Sequence, residues 1–306
     1  MATRIVEAGQ IEQLPASVVP ELRLPGGGAL FSDRAARLRQ LSETSAMADY
    51  LRFIALVAAR QETMMQSLSG TPLPDQARIV RCRNHAMPPL QTTSWQRNAK
   101  WRLALRDMLV ELKTELSGTT GDVVARLAEA SEDFIEAQAS KICAGIDEGL
   151  DVAVAPLIAA GLQAYWTSMA SRLATGDVGH SAAPNLCPVC GSLPVASIVR
   201  IGAVESGYRY LRCSLCSSEW HMVRVKCSHC ESTKGISYHG IAGGDPAVKA
   251  ESCEQCHSYL KILYMEKDPA VEPTADDLAS LPLDILMAEE NFARSGTNMM
   301  LFHGSS

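Results

Sequence analysis

Four pairs of cysteines, each written C-x2-C, fall within residues 187–256 of this 306-residue chain. They are Cys187/Cys190, Cys213/Cys216, Cys227/Cys230 and Cys253/Cys256, and the gaps between successive pairs are 22, 10 and 22 residues. The arrangement is C-x2-C-x22-C-x2-C written twice at a period of 40 residues, and strand-like residues 220–226 and 260–266 follow the second pair of each copy. A fixed period of this size marks a repeated structural unit. Two cysteines three positions apart on a tight turn aim both sulfurs at one point, and N–H groups of the turn hydrogen-bond those sulfurs. Two such turns joined by a short β-hairpin complete a tetrahedral four-sulfur shell, which accepts zinc or iron. A unit this small cannot bury enough apolar surface alone, so the metal supplies missing stability. Gly191, directly after Cys190, suits a turn that needs positive φ; the equivalent Ser217, Glu231 and His257 lack glycine's freedom.

Sequential closure gives each repeat its own site, Cys187/Cys190/Cys213/Cys216 and Cys227/Cys230/Cys253/Cys256. A cross-braced module would instead join the first pair to the third and the second to the fourth. The 40-residue period favours sequential closure. Spacing alone favours zinc and leaves open whether the sites only hold the fold or also sense or use redox state. A thioredoxin-type motif is disfavoured, since no pair sits at a strand-to-helix junction of a βαβ unit.

The remaining candidates have plainer readings. Cys82 with His85 is a chance pairing in a loop rather than half a metal site, and Cys143 is a small buried hydrophobe in a helix. His257 is expected beside the second site or on the surface, not as a ligand. Trp220 should pack against the first knuckles while His221 faces outward.

Composition narrows the function classes. The net charge is −6, with 47% hydrophobic and 20% charged residues, as in an ordinary soluble domain. Residues 185–265 hold eight Lys and Arg against six Asp and Glu. Four thiolates around a divalent ion add −2 per site, which makes a poor phosphate-binding surface, so no nucleic acid is expected. The first 19 residues carry Arg4, Glu7 and Glu12 and no apolar h-region. The longest apolar run, residues 152–162, is well short of the roughly 18 residues a membrane span needs. These features point to a cytoplasmic protein without stable membrane insertion, in which clustered cysteines bind metal rather than form disulfides. No nucleophile motif, phosphate loop or telling carboxylate pair is present, so the chain is not expected to be an enzyme.

The rest of the chain reads as helix. Residues 1–30, with Pro15, Pro20, Pro25 and the Gly26–Gly28 run, form an extended arm ending in a joint. Ser32 sits where a helix N-cap would. Helical stripes follow at Tyr50, Phe53, Ile54, Val57 and Ala58; at Leu105, Met108, Leu109, Leu112 and Leu116; and at Ile158, Leu162, Trp166, Met169 and Leu173. Weaker helices fit residues 122–129 and 133–146. Residues 174–186 (ATGDVGHSAAPNL) have linker composition, which would let the flanking parts adjust. Residues 220–226 and 259–265 read as strands, and a further helix restarts near Pro282. The expected class is therefore α+β and multi-domain: an arm (1–30), an all-α helical domain (31–174), a linker (175–186), and two tandem small β modules of zinc-ribbon type. The first module spans 187–226, and the second spans 227–306 with a helical tail.

The stretches CPVCGSLPVASIV, YRYLRCSLCSSEWHMVRVKCSHC and VKAESCEQCHSYLKILYMEKDP resemble the formate dehydrogenase accessory proteins of the FdhE family. The resemblance continues through ADDLASLPLDILMAEENFARS and returns in the helical part as ADYLRFIALVA, and all four cysteine pairs keep their register. It implies rubredoxin-like modules holding two metal ions per chain, iron rather than zinc, with the eight paired cysteines as ligands. It also implies a cytoplasmic assembly factor that associates with the catalytic subunit of respiratory formate dehydrogenase and is absent from the finished enzyme. An electron carrier acting on the same client and a structural zinc-ribbon interaction protein are the alternatives. The oligomeric state is left open, a dimer among the options.

Overall fold

A computed structural model describes residues 19–302 except Gly27, Ala182 and Ala203. Seven helices come first: α1 (Leu30–Ser42), α2 (Ala48–Ser67), α3 (Gln76–Asn84), α4 (Lys100–Lys113), α5 (Gly118–Glu129), α6 (Glu132–Ala144) and α7 (Ala155–Ala170). Helix α7 is buried at every one of its 16 residues. The stripe read at Ile158, Leu162, Trp166 and Met169 is thus one side of a central rod that is buried all round. Helices α2, α4 and α6 pack on it. The close crossing depends on Gly161, where an added Cβ would lie 3.2 Å from Leu105 Cδ1.

Helix α1 departs from the sequence reading. Ser32 lies inside the helix and is exposed, and Ala29 occupies the cap position without a side-chain bond. The Glu62 carboxylate, reaching across from α2, accepts from Phe31 N at 3.1 Å and Ser32 N at 3.3 Å. A long-range acid therefore replaces a local hydroxyl, satisfying two of the otherwise orphaned N–H groups and the positive end of the helix dipole.

The C-terminal half forms one sheet. Its strands are β2 (Pro194–Val199), β3 (Arg209–Cys213), β4 (Glu219–His221), β5 (Ile236–His239), β6 (Val248–Cys253) and β7 (Ser258–Tyr264), with β1 (Leu22–Arg23) and β8 (Ala293–Arg294) from the two ends of the chain. The order is β1-β4-β3-β2-β7-β6-β5, with β8 also on β7. Each repeat folds as an antiparallel three-strand meander. The two meanders are joined by a parallel pairing, Ser197–Ile262, Ile198–Leu263 and Val199–Tyr264. Two tandem modules thus share a single sheet. Across their junction the buried guanidinium of Arg209 lies 2.8 Å from the buried Glu251 carboxylate.

The strand expected at 220–226 stops at His221. Its outer neighbour is the two-residue β1, paired through Leu22–Trp220 and Arg23–Glu219. The chain then turns through Val225 at φ 56° to begin the next knuckle. In the second repeat β7 continues to Tyr264 because β2 and β6 flank it. Of the arm, residues 1–18 and Gly27 lie outside the described residues.

The described residues of the linker are packed against both flanking parts. Thr175–Asp177 make a 3-10 turn, Val178 packs on the helical core, and the Trp220 indole donates to Pro184 O at 2.8 Å. Leu211, Leu215 and Trp220 of the first module belong to the same core as α7. The tail supplies α8 (Pro273–Ala279) and α9 (Leu281–Glu289). Helix α8 is pinned to α1 by Arg34–Glu272 at 3.2 Å and by a two-pronged Arg37–Asp276 pair. Strand β7 is pinned to the tail by Lys261, whose ammonium lies 2.5 Å from Asp284 and 3.4 Å from Asp277.

The cap assignment is tested by two substitutions. Glu62→Ala should lower stability by about 1 kcal/mol in urea unfolding, whereas Ser32→Ala should leave the midpoint unchanged.

Candidate metal centres

Each C-x2-C pair sits on the same small loop. The first cysteine ends a strand or turn, the next two residues cross over, and the second cysteine is followed by a residue in the left-handed region. Those residues are Gly191 (φ 79°), Ser217 (59°), Glu231 (62°) and His257 (50°). All four knuckles therefore share one conformation, and three adopt it without glycine at some cost in backbone strain. At Gly191 there is a second constraint: a Cβ there would meet Gln91 Oε1 at 2.7 Å.

The loops bring the sulfurs together in two sets, one per repeat. The four ligand atoms of Cys187, Cys190, Cys213 and Cys216 lie within 4.8 Å of one another, as do those of Cys227, Cys230, Cys253 and Cys256. Closure is sequential, not cross-braced. Sulfur–sulfur separations are 3.5 Å for Cys187–Cys216, 3.4 Å for Cys190–Cys213, and 3.7 Å for both Cys227–Cys256 and Cys230–Cys253. A disulfide needs about 2.0 Å, whereas a tetrahedron with bonds of about 2.3 Å has edges of roughly 3.8 Å. The spacing fits a metal ion.

The hydrogen bonding fits as well. Leu215 N and Cys216 N donate to Cys213 Sγ at 3.4 and 3.3 Å, and His229 N and Cys230 N donate to Cys227 Sγ at 3.3 and 3.4 Å. Two residues beyond the second cysteine every knuckle carries serine: Ser192, Ser218, Ser232 and Ser258. Three of these hydroxyls face a sulfur, at 3.5 Å (Cys190), 3.2 Å (Cys216) and 3.0 Å (Cys256). Ser232 turns instead to the Lys234 backbone. Burial pushes the Cys187 and Cys213 thiols well above their ordinary range. Working against burial, the Ser258 hydroxyl and the neighbouring thiols bring Cys256 down to about 7. Crowded thiolates need a cation to ionise together, and a bound metal supplies that charge.

The two sites differ in their surroundings. All four sulfurs of the first are buried and belong to the core built on α7. The helical part also holds its knuckles by hydrogen bonds. Leu90 N donates to Val189 O (2.9 Å), Thr92 N to Cys190 O (3.1 Å), and Gln163 Nε2 to Ser214 O (2.6 Å). The Trp166 indole fixes the first of these segments through Leu90 O at 3.0 Å. In the second site Cys227 and Cys253 are buried, Cys256 is half-buried and Cys230 is exposed.

The other residues singled out by sequence fall outside both sets. Cys82 is buried in α3 and His85 is exposed at its C-cap. Cys143 is half-buried, and burial pushes its thiol up to about 12. His257 is exposed, its ring centroid 6.0 Å from that of Phe292. Trp220 packs in the core with the first cluster, while half-buried His221 leans on Tyr208 and Tyr210. Sequence reasoning missed the serine register and the Gln163 contact. The serines carried a signal, since all four share one offset; Gln163 carried none.

Comparison with known proteins follows the same divisions. Residues 19–182 match the family model "FdhE, N-terminal", residues 186–224 "FdhE, central domain" and residues 225–301 "FdhE, C-terminal domain". The chain is 44% identical to the Protein FdhE homolog of Cronobacter sakazakii and to Protein FdhE of Salmonella dublin, in each case over 99% of both chains. The crystal structure of the FdhE protein from Pseudomonas aeruginosa superposes with a TM-score of 0.83 at 36% identity, covering 94% of this chain and 100% of that one.

The sulfur-facing serines have a measurable effect. Ser258→Ala should weaken metal retention at the second cluster by roughly tenfold in competition with a chromophoric chelator. Ser232→Ala, whose hydroxyl faces the backbone, should not.

Proposed function

We propose, from the premise that the chain belongs to the FdhE family, that it is a cytoplasmic accessory protein for the assembly of respiratory formate dehydrogenase. In this reading it binds the catalytic subunit transiently and does no chemistry on formate. One observation carries it: similarity to FdhE proteins runs through 99% of the chain, and both four-cysteine clusters lie within it intact. No helix among the described residues is long and apolar enough to cross a membrane, in keeping with a factor that meets its client before export.

The eight paired cysteines are the metal ligands in this reading, with one iron ion in each cluster. The ion's contribution is to bind two distant knuckles into one rigid surface. In the first module that surface is continuous with the helical part, so the client would meet helices and knuckles as one body.

Metal analysis of protein prepared without oxygen should find two ions per chain. With iron the oxidised protein is red, and with zinc it is colourless. Co-purification from cells making the enzyme should recover the catalytic subunit with the wild type and lose it with a variant lacking Cys213 and Cys216. If the wild type recovers no subunit, and deletion of the protein leaves formate oxidation unchanged, the assembly role is wrong.

A further inference from the structure

We propose that the two clusters divide their labour: the second is an exchangeable metal centre that trades its ion with thiol ligands through Cys230, while the first keeps its ion. The proposal rests on the reading that both clusters hold metal, and it goes beyond that reading in giving the two ions different fates.

The argument begins with access. An incoming ligand has to reach the ion before a resident sulfur leaves. At the first cluster every sulfur is buried, and knuckle backbone is covered by Leu90, Thr92 and Gln163. At the second, Cys230 is exposed and Cys256 half-buried, and the flanking His229, Glu231 and His257 are exposed too. A shell that controls solvent access controls exchange.

The second argument is what remains when the ion departs. The sulfurs of the first cluster are part of the main core, in contact with the apolar side chains around α7. Emptying it would open that core. The second module packs on a separate core, in which Ala250, Tyr259, Leu263, Leu283 and Met287 meet Val195, Ile198 and Tyr210 of the first, and none of the sulfurs belongs to it. Its β7 is also held from both sides, by β2 and β6, and by the Lys261–Asp277–Asp284 cluster. The sheet can therefore outlast the ion, which is the condition for reversible exchange.

The step balances without redox change. The thiol sulfur of the incoming ligand forms a bond to the ion, the bond from the ion to Cys230 Sγ breaks, and the proton of the thiol ends on Cys230. Repetition at half-buried Cys256, and then at Cys227 and Cys253, leaves the ion on the incoming thiols, with one proton returned to each cysteine.

The test uses the full-length protein loaded with two zinc ions. Challenged with glutathione and pyridylazoresorcinol, it should release one ion per chain at least about tenfold faster than the other. Brief labelling with N-ethylmaleimide during the fast phase, read by mass spectrometry, should mark Cys230 and Cys256 ahead of the other six ligands. Cys230→Ser, which leaves the second cluster one sulfur short, should load a single zinc ion that leaves only in the slow phase, with the helical circular dichroism in place. Two ions leaving in one phase, or fast release with labelling at Cys187 or Cys190, overturns the exchange role alone. A loaded protein that retains one ion or none overturns the two-metal reading, and the exchange role with it.

Discussion

The contact between α7 and the first pair of knuckles organises this molecule. The Gln163 amide donates to the carbonyl of Ser214, between two ligand cysteines, and its oxygen accepts from Arg34 and Gln61. Arg34 in turn is paired with Glu272 at the head of the tail helix α8. One buried side chain on the central rod thus links the metal loop, the first two helices and the C-terminal tail. Buried polar groups are tolerated only when satisfied, and here satisfaction requires all four parts to be in place together. The result is a sulfur cluster inside a helical core, where a free-standing ribbon would have left it at the surface.

The second constraint is the parallel pairing of β2 with β7. It turns two copies of one small unit into a single sheet without giving them the same environment. The β4 edge of the first meander is covered by the N-terminal arm, whereas the matching strand of the second becomes an interior strand. Copies identical in spacing therefore end with one site enclosed and one partly open. Glu251, which pairs with Arg209 across the seam, is buried, so sliding the two copies past each other would strand a buried charge.

The asymmetry gives the two sites different places in the fold. The interior site shapes the body, and the other exposes part of its sulfur shell at the molecular surface. The family resemblance runs through every part of the chain, so helices and modules are best understood as one working unit.

Much of this was legible in the residues themselves. The spacing of eight cysteines marked two sets of four, because a turn of four residues has few ways to aim two sulfurs at one point, and the 40-residue period favoured sequential closure over cross-bracing. The hydrophobic period marked α2, α4 and α7, although α7 is buried on every side and not along one stripe. The helix cap at Glu62, the early end of β4 and the packing of the linker were not legible, because each depends on a partner distant in the chain. The same holds for the difference between the clusters: the repeat is symmetric at 40 residues, and only the packing of α7 against one copy and not the other decided which sulfurs are sealed. Local geometry is written in local sequence; burial belongs to whatever the fold brings alongside.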